Sequence, residues 1–216
     1  MHIERSQPIR IDLDHPADGR SLRSATSVDT TVLGAWTFDG AGCDAEGWVS
    51  VDLTATGGPY FHIDDFAGLG GGDFGGLVPL EGDQSLWCGA RSLSEDCSYA
   101  TLPGYANGWE QYFEVTDCMN VTGDVTVDYL IHHHSEPGYD YTAVEYSLCD
   151  DNWIEFAGGL GVFDGAGGGF FSSTVDSSLH AGSIRLRFHF SSDPAYSDED
   201  GLYDSDGAVI LDSLSV

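Results

Sequence analysis

The sequence predicts an all-β protein, an antiparallel jelly-roll β-sandwich with long glycine-rich loops, and three observations predict it. Short β-branched or aromatic runs recur along the chain, many alternating apolar and polar residues with period two. Glycine-rich connections separate them, among them "GLGGGDFGG" (68–76) and "GGLGVFDGAGGGFF" (158–171). No window of a dozen residues carries the 3.6-residue apolar stripe that a surface helix needs. Many strands, glycine turns and almost no helix lead to a sandwich.

Residues 1–33 hold Pro8, Pro16 and the Ser/Thr-rich "SLRSATSVDTT", without sustained periodicity. They read as an N-terminal leader or extended arm, and 34–216 as the sandwich domain. The start is too polar for a signal peptide, although a removed leader is compatible with it. The strands expected next are "AWTFD" (35–39), "WVSVDL" (48–53), "SLWCG" (85–89) and "EQYFEV" (110–115). "DVTVDYLIHHH" (124–134), "YTAVEYSL" (141–148), "NWIEF" (152–156), "SIRLRFHF" (183–190) and "AVILDSLSV" (208–216) complete the set. In "SIRLRFHF", Ile184, Leu186, Phe188 and Phe190 share one face, and Arg185, Arg187 and His189 the other. By the same rule His132 and His134 share a face, and His133 lies with Ile131 and Tyr129. Trp36, Trp87 and Trp153 sit among alternating neighbours and are expected in the core. Tyr99, Tyr105, Asn107 and Trp109, in "CSYATLPGYANGWEQ", are expected as exposed ligand contacts.

Charge narrows the partners. The 216 residues contain 7 basic and 36 acidic side chains, and every base is Arg. Arg5, Arg10, Arg20 and Arg23 balance Glu4, Asp12, Asp14 and Asp18, so the formal charge of −29 resides in 24–216. Nucleic acid and anionic membrane surfaces need basic footprints, which this chain lacks. No run approaches the ~18 apolar residues of a membrane span. A saline habitat explains bulk acidity as well as cation binding does. It does not explain clustering. Five cysteines (43, 88, 97, 118, 149) lack zinc-type spacing and fit an exported, disulfide-bonded protein. Cys88–Cys97 with Cys118–Cys149 is one pairing among several.

The carboxylates are densest in "SDEDGLYDSDGAVILDSLSV" (197–216). Asp198-x-Asp200-Gly201 and Asp204-x-Asp206-Gly207 send acidic side chains the same way, with glycine at the turn. Ca2+ takes oxygen ligands of this kind, while a solvated acidic loop is the alternative. No EF-hand spacing is present. Asp212 stands inside an apolar strand and needs a partner. Asp39, at the end of the first strong strand, is in a similar position. If the first and last strands are neighbours, Asp39 and Asp212 converge on one cation.

In order along the chain, "AWTFDG", "EGWVSVDLT" and "VILDSLSV" resemble the jelly-roll modules of the MAM and cleaved-adhesin type. "SEPGYDYTAVEYSLCDDNWIEF" (135–156) is similar to a middle signature of domains attached to secreted immune-inhibitor-A-type metallopeptidases. The resemblance covers about residues 35–216. It implies calcium where first and last strands meet, hence at Asp39 and Asp212. The second Asp of the family's terminal pair is Ser213 here, which removes a ligand. Glu136 and Asp140, in the turn before a strand, are further calcium candidates or hydrogen-bonded turn caps.

Catalytic patterns are weak. His132 and His134 alone do not complete a transition-metal site. Glu110 and Glu114 share a strand face, but roughly 13 Å separates their Cα atoms, beyond glycosidase spacing. G-x-S-x-G and H-E-x-x-H are absent. The expectation is a secreted or cell-surface, calcium-stabilised binding or adhesion module for a carbohydrate or extracellular protein ligand. A self-associating structural subunit that uses 1–33 as an exchange arm comes second. A polysaccharide-active enzyme comes third.

Overall fold

Alternation in the sequence becomes inside and outside in the structure. The computed structural model describes residues 30–39, 47–54, 60–69, 77–91, 103–156 and 161–216. Among them the strands are β1 (Ala35–Trp36), β2 (Trp48–Asp52), β3 (Phe61–Asp64), β4 (Ser85–Cys88), β5 (Glu110–Val115) and β6 (Met119–Asn120). Then follow β7 (Val125–His134), β8 (Tyr141–Ser147), β9 (Trp153–Glu155), β10 (Val162–Phe163), β11 (Ala166–Val175), β12 (Ser183–Ser191) and β13 (Val209–Ser215). A 3-10 turn at Ser177–Leu179, capped by the Asp176 side chain, is the only helical element among the described residues. All of these belong to the unit Val32–Val216. The proposed arm lies outside the described residues except for 30–33, and the Leu33 N–H already donates to the Val216 carbonyl.

The strands form two antiparallel sheets, and the chain passes repeatedly from one to the other, which makes a jelly-roll sandwich. The first sheet has the order β11-β7-β13-β4-β3, with β1 also paired to β13. The second has the order β10-β8-β12-β5-β2, with β6 on β12 and β9 on β8. Inward residues of both sheets make the main core. Ile184, Leu186, Phe188 and Phe190 of β12 are at most 2% exposed, as their alternation predicts. They meet Val127, Tyr129 and Ile131 of β7 and Leu211 of β13 in one buried cluster. Trp48 stacks on Phe113 and Phe188, with ring centroids 5.1 and 5.9 Å away.

A second, smaller cluster lies on the outer face of the first sheet. Trp87 and Ile210 pair across β4 and β13, and Phe66 and Leu77 pack with them. Trp87 is thus buried on the face opposite the main core, with its indole N–H donating to the Asp206 carbonyl at 2.9 Å. Trp153 departs from expectation. It is half-buried on the outer face of the second sheet, where the Arg185 and Arg187 guanidiniums cover its ring at 5.2 and 4.3 Å. Trp36 is partly buried against the core and meets Trp48 edge-on.

The glycine run at 165–171 is also corrected. Gly167 and Gly168 belong to β11 and pair with His133 and His132 of β7. A Cβ on Gly168 would stand 2.6 Å from the Ile131 carbonyl oxygen, so the bare backbone lets β11 approach. Cys118 and Cys149 are disulfide-bonded, whereas Cys88 keeps a free, buried thiol rather than joining Cys97. Cys88 belongs to the main core cluster. Cys43 and Cys97 lie outside the described residues.

Candidate metal-binding end of the sandwich

The first and last strands are neighbours: Ala35 pairs with Ser215 and Trp36 with Leu214. Beyond β1 the backbone turns at Phe38, whose φ is 59°. A β-bulge interrupts β13 between Asp212 and Ser215, with Ser213 at φ 46°. Such bulges re-aim side chains. Both carboxylates then bind the turn that precedes β4. Asp39 Oδ1 accepts from the N–H groups of Asp83 and Gln84, at 2.6 and 3.0 Å. Asp212 Oδ2 accepts from the Glu81 N–H at 3.1 Å and the Ser85 hydroxyl at 2.6 Å. Burial, with a smaller push from the Asp39 charge, holds the Asp212 carboxyl above its ordinary range. Ser213, beside it on the bulge, donates its hydroxyl to Glu81.

The aspartates of 198–206 are distributed among separate partners. Asp198 is fully buried and accepts from the N–H groups of Tyr105 and Ser205 and from the Ser205 hydroxyl. Asp200 accepts from the Tyr196 and Leu202 N–H groups and the Asn107 amide. Asp204 is exposed. Asp206 is buried with Oδ2 3.3 Å from His132 Nε2 and 3.4 Å from His134 Nδ1. Burial alone would raise the Asp206 carboxyl, but the two imidazoles hold it down at about 2. Thus much of the like charge beside "AVIL" is absorbed by N–H groups, hydroxyls and histidines.

A third group gathers where the β7–β8 turn, the loop before β5 and the β12–β13 connection meet. One carboxylate oxygen from each of Glu136, Asp140 and Asp193 lies within 4.8 Å of the others. Among the described residues this is the one such trio of metal-ligating side chains. Asp140 is 0% exposed; its Oδ2 accepts from the Tyr105 hydroxyl at 2.5 Å and its Oδ1 from the Asp193 N–H at 2.8 Å. The Tyr105 hydroxyl in turn accepts from the Glu136 N–H at 3.0 Å. Glu136 Oε2 is shielded from water and has no hydrogen-bond donor. Burial raises both the Glu136 and Asp140 carboxyls, and the Asp140, Asp193 and Asp200 charges raise Glu136 further. Acidic oxygens crowded around an undonated one fit a hard cation such as Ca2+.

Asp193 was not identifiable from sequence. It follows β12 in "SSDPAY" and lies 53 residues from Asp140. Its only local mark is an Asp-Pro turn, which occurs equally where no metal binds.

The aromatic loop is a correction. Tyr105 is 0% and Trp109 1% exposed, so neither ring is offered to a ligand. Tyr105 is drawn inward by its bonds to Asp140 and Glu136, and Trp109 stacks on Tyr60 with centroids 3.9 Å apart. Asn107 is half-buried and braces the acidic connection through Glu199 and Asp200. Tyr99 lies outside the described residues. Glu110 and Glu114 do share the outer face of the second sheet, opposite Ser191 and Arg187.

The sequence matches no described protein family, and no curated protein matches it. Solved structures are similar to it. The K2 cleaved adhesin domain of Lys-gingipain aligns over 84% of this chain and 97% of its own, with TM-score 0.50 and 16% identity. The K1 cleaved adhesin domain of Lys-gingipain from Porphyromonas gingivalis W83 covers 86% and 97%, with TM-score 0.47 and 12% identity. TmCBM61, solved with β-1,4-galactotriose, covers 77% and 85%, with TM-score 0.42 and 7% identity. At these identities the K2 likeness establishes the fold alone: the chain has an adhesin-type jelly-roll fold.

Proposed function

We propose that this protein is a non-catalytic binding or adhesion module of the cell exterior, with the loop end of its sandwich fastened by Ca2+. The observation that carries the reading is the Glu136–Asp140–Asp193 trio, three acids from two connections held together around an undonated oxygen. These residues would supply carboxylate ligands. The bound ion would neutralise their mutual repulsion and tie the β7–β8 turn to the β12–β13 connection. The Cys118–Cys149 disulfide agrees with an oxidising compartment. The adhesin-type fold agrees with a ligand-binding role, for a carbohydrate or an extracellular protein.

Thermal unfolding with calcium and with a chelator tests the metal. A ligand present at a hundredfold its Kd stabilises by about 2.7 kcal/mol, or about 5–10 °C for a domain of this size. We expect a calcium-dependent rise of that order, abolished by Asp193→Asn. An unchanged midpoint in the native chain overturns the reading.

A further inference from the structure

The outer face of the second sheet carries polar chemistry that the metal does not use. Register sets Tyr141 beside Ser191 and Glu145 beside Arg187, with His189 between Ala143 and Tyr112. Glu155 of β9 pairs with Glu145, and Val162 of β10 with Ala143. Together they leave a cavity of about 300 Å³ lined by Tyr141, Glu145, Glu155, Val162, His189 and Ser191.

Three of its polar side chains, Glu145, His189 and Tyr141, are held in place. Arg187 Nε donates to Glu145 Oε2 at 2.5 Å, and its guanidinium lies 4.2 Å from the Tyr112 ring and 4.3 Å from Trp153. His189 stands between two acids, Nε2 3.0 Å from Glu110 and Nδ1 3.5 Å from Glu145. The Tyr112 hydroxyl donates to Glu110, and its ring centroid is 4.5 Å from that of His189. Tyr141 is held at the rim by its hydroxyl, which donates to the Gly138 carbonyl at 2.6 Å. Side chains already immobilised lose little further freedom when a ligand arrives, the usual route to affinity in a small site.

Charge selects the ligand. Arg187 is committed to Glu145, and Arg185 donates to the Asp150 carbonyl, so an incoming polyanion meets no free cation and four glutamates. A polybasic peptide meets a single carboxylate without a cationic partner inside the cavity, Glu155, because Glu145, the other acid of the lining, is neutralised by Arg187. What remains are carboxylate lone pairs, an imidazole and the Ser191 hydroxyl, bordered by Val162 and the Tyr141 ring. Sugar hydroxyls both donate and accept, and so match a mixed set of this kind. A pocket with apolar walls and a few convergent polar groups is the usual form of a small-ligand site.

We propose that this cavity binds a neutral oligosaccharide, an inference that rests on the binding-module reading above. The test is affinity electrophoresis of the intact chain through gels containing galactomannan, xylan or β-glucan, with alginate as the polyanion. Retardation is expected in at least one neutral gel. Tyr141→Ala and Glu155→Gln, both at exposed positions, should weaken it at least tenfold, while Phe170→Ala on the opposite sheet should not. No retardation in any neutral gel, retardation in alginate alone, or insensitivity to both face variants would overturn the proposal. Calcium-dependent melting without retardation would sink only the saccharide site and leave the metal reading standing.

Discussion

At the scale of single residues, the acidic surplus resolves into groups with opposite proton preferences. Asp206 titrates low because two histidines face it. Its contribution is therefore fully present above the ordinary Asp value of about 4 and is lost as pH falls through about 2. The depression corresponds to about 2 kcal/mol. Asp206→Asn should lower stability by that order at neutral pH and flatten acid unfolding between about pH 2 and 4, followed by circular dichroism. Glu136 and Asp140 are shifted the other way, so without metal they favour acid over neutral pH. Tyr105→Phe removes the hydroxyl that serves both Asp140 and the Glu136 N–H. An expected loss of about 1–3 kcal/mol would show as a lower denaturation midpoint. Glu136 and Asp140 were legible as candidates because acids in a turn stand out. Tyr105 and Trp109 were misread because a Gly/Pro-rich loop resembles surface, and the carboxylate that draws Tyr105 inward is 35 residues away.

At the scale of elements, period-two patterning was a reliable guide wherever side chains exist to carry it. β5, β7, β8, β12 and β13 fall where alternation placed them, and Arg185, Arg187 and His189 face out as read. β11 was not legible at its glycine end, since glycines have no hydropathy to alternate and join the sheet through backbone register alone. The same closeness makes Gly168→Ala a sharp test. The added methyl meets the Ile131 carbonyl, and we expect about 1–3 kcal/mol of destabilisation with faster amide exchange along β7 and β11. Gly82 has φ +60°, and a Cβ there would lie 2.1 Å from Asp39 Oδ2. Gly82→Ala should therefore dislodge the Asp39 clamp as well as strain the turn, by a similar amount measured in urea.

At the scale of the whole molecule, the Cys118–Cys149 bond links the end of β5 to the end of β8 over 31 residues. Its reduction should cost about 2–4 kcal/mol, visible as a lower melting point in reductant. The architecture was predictable because it follows from strand count and glycine turns, whereas the meeting of Glu136 with Asp193 depends on how connections cross at one end. One feature of that architecture reaches further. β13 lies inside the first sheet, joining β7 on one flank to β4 and β1 on the other. Ribosomal synthesis runs from β1 onward, so this bridging strand is the last of them to emerge. Until it does, β7–β11 and β3–β4 wait as halves with bare edges, liable to pair with foreign strands. Nascent chains stalled ahead of Val209 should accordingly be protease-sensitive and chaperone-bound, and acquire protection in a single step once Ser215 clears the exit tunnel.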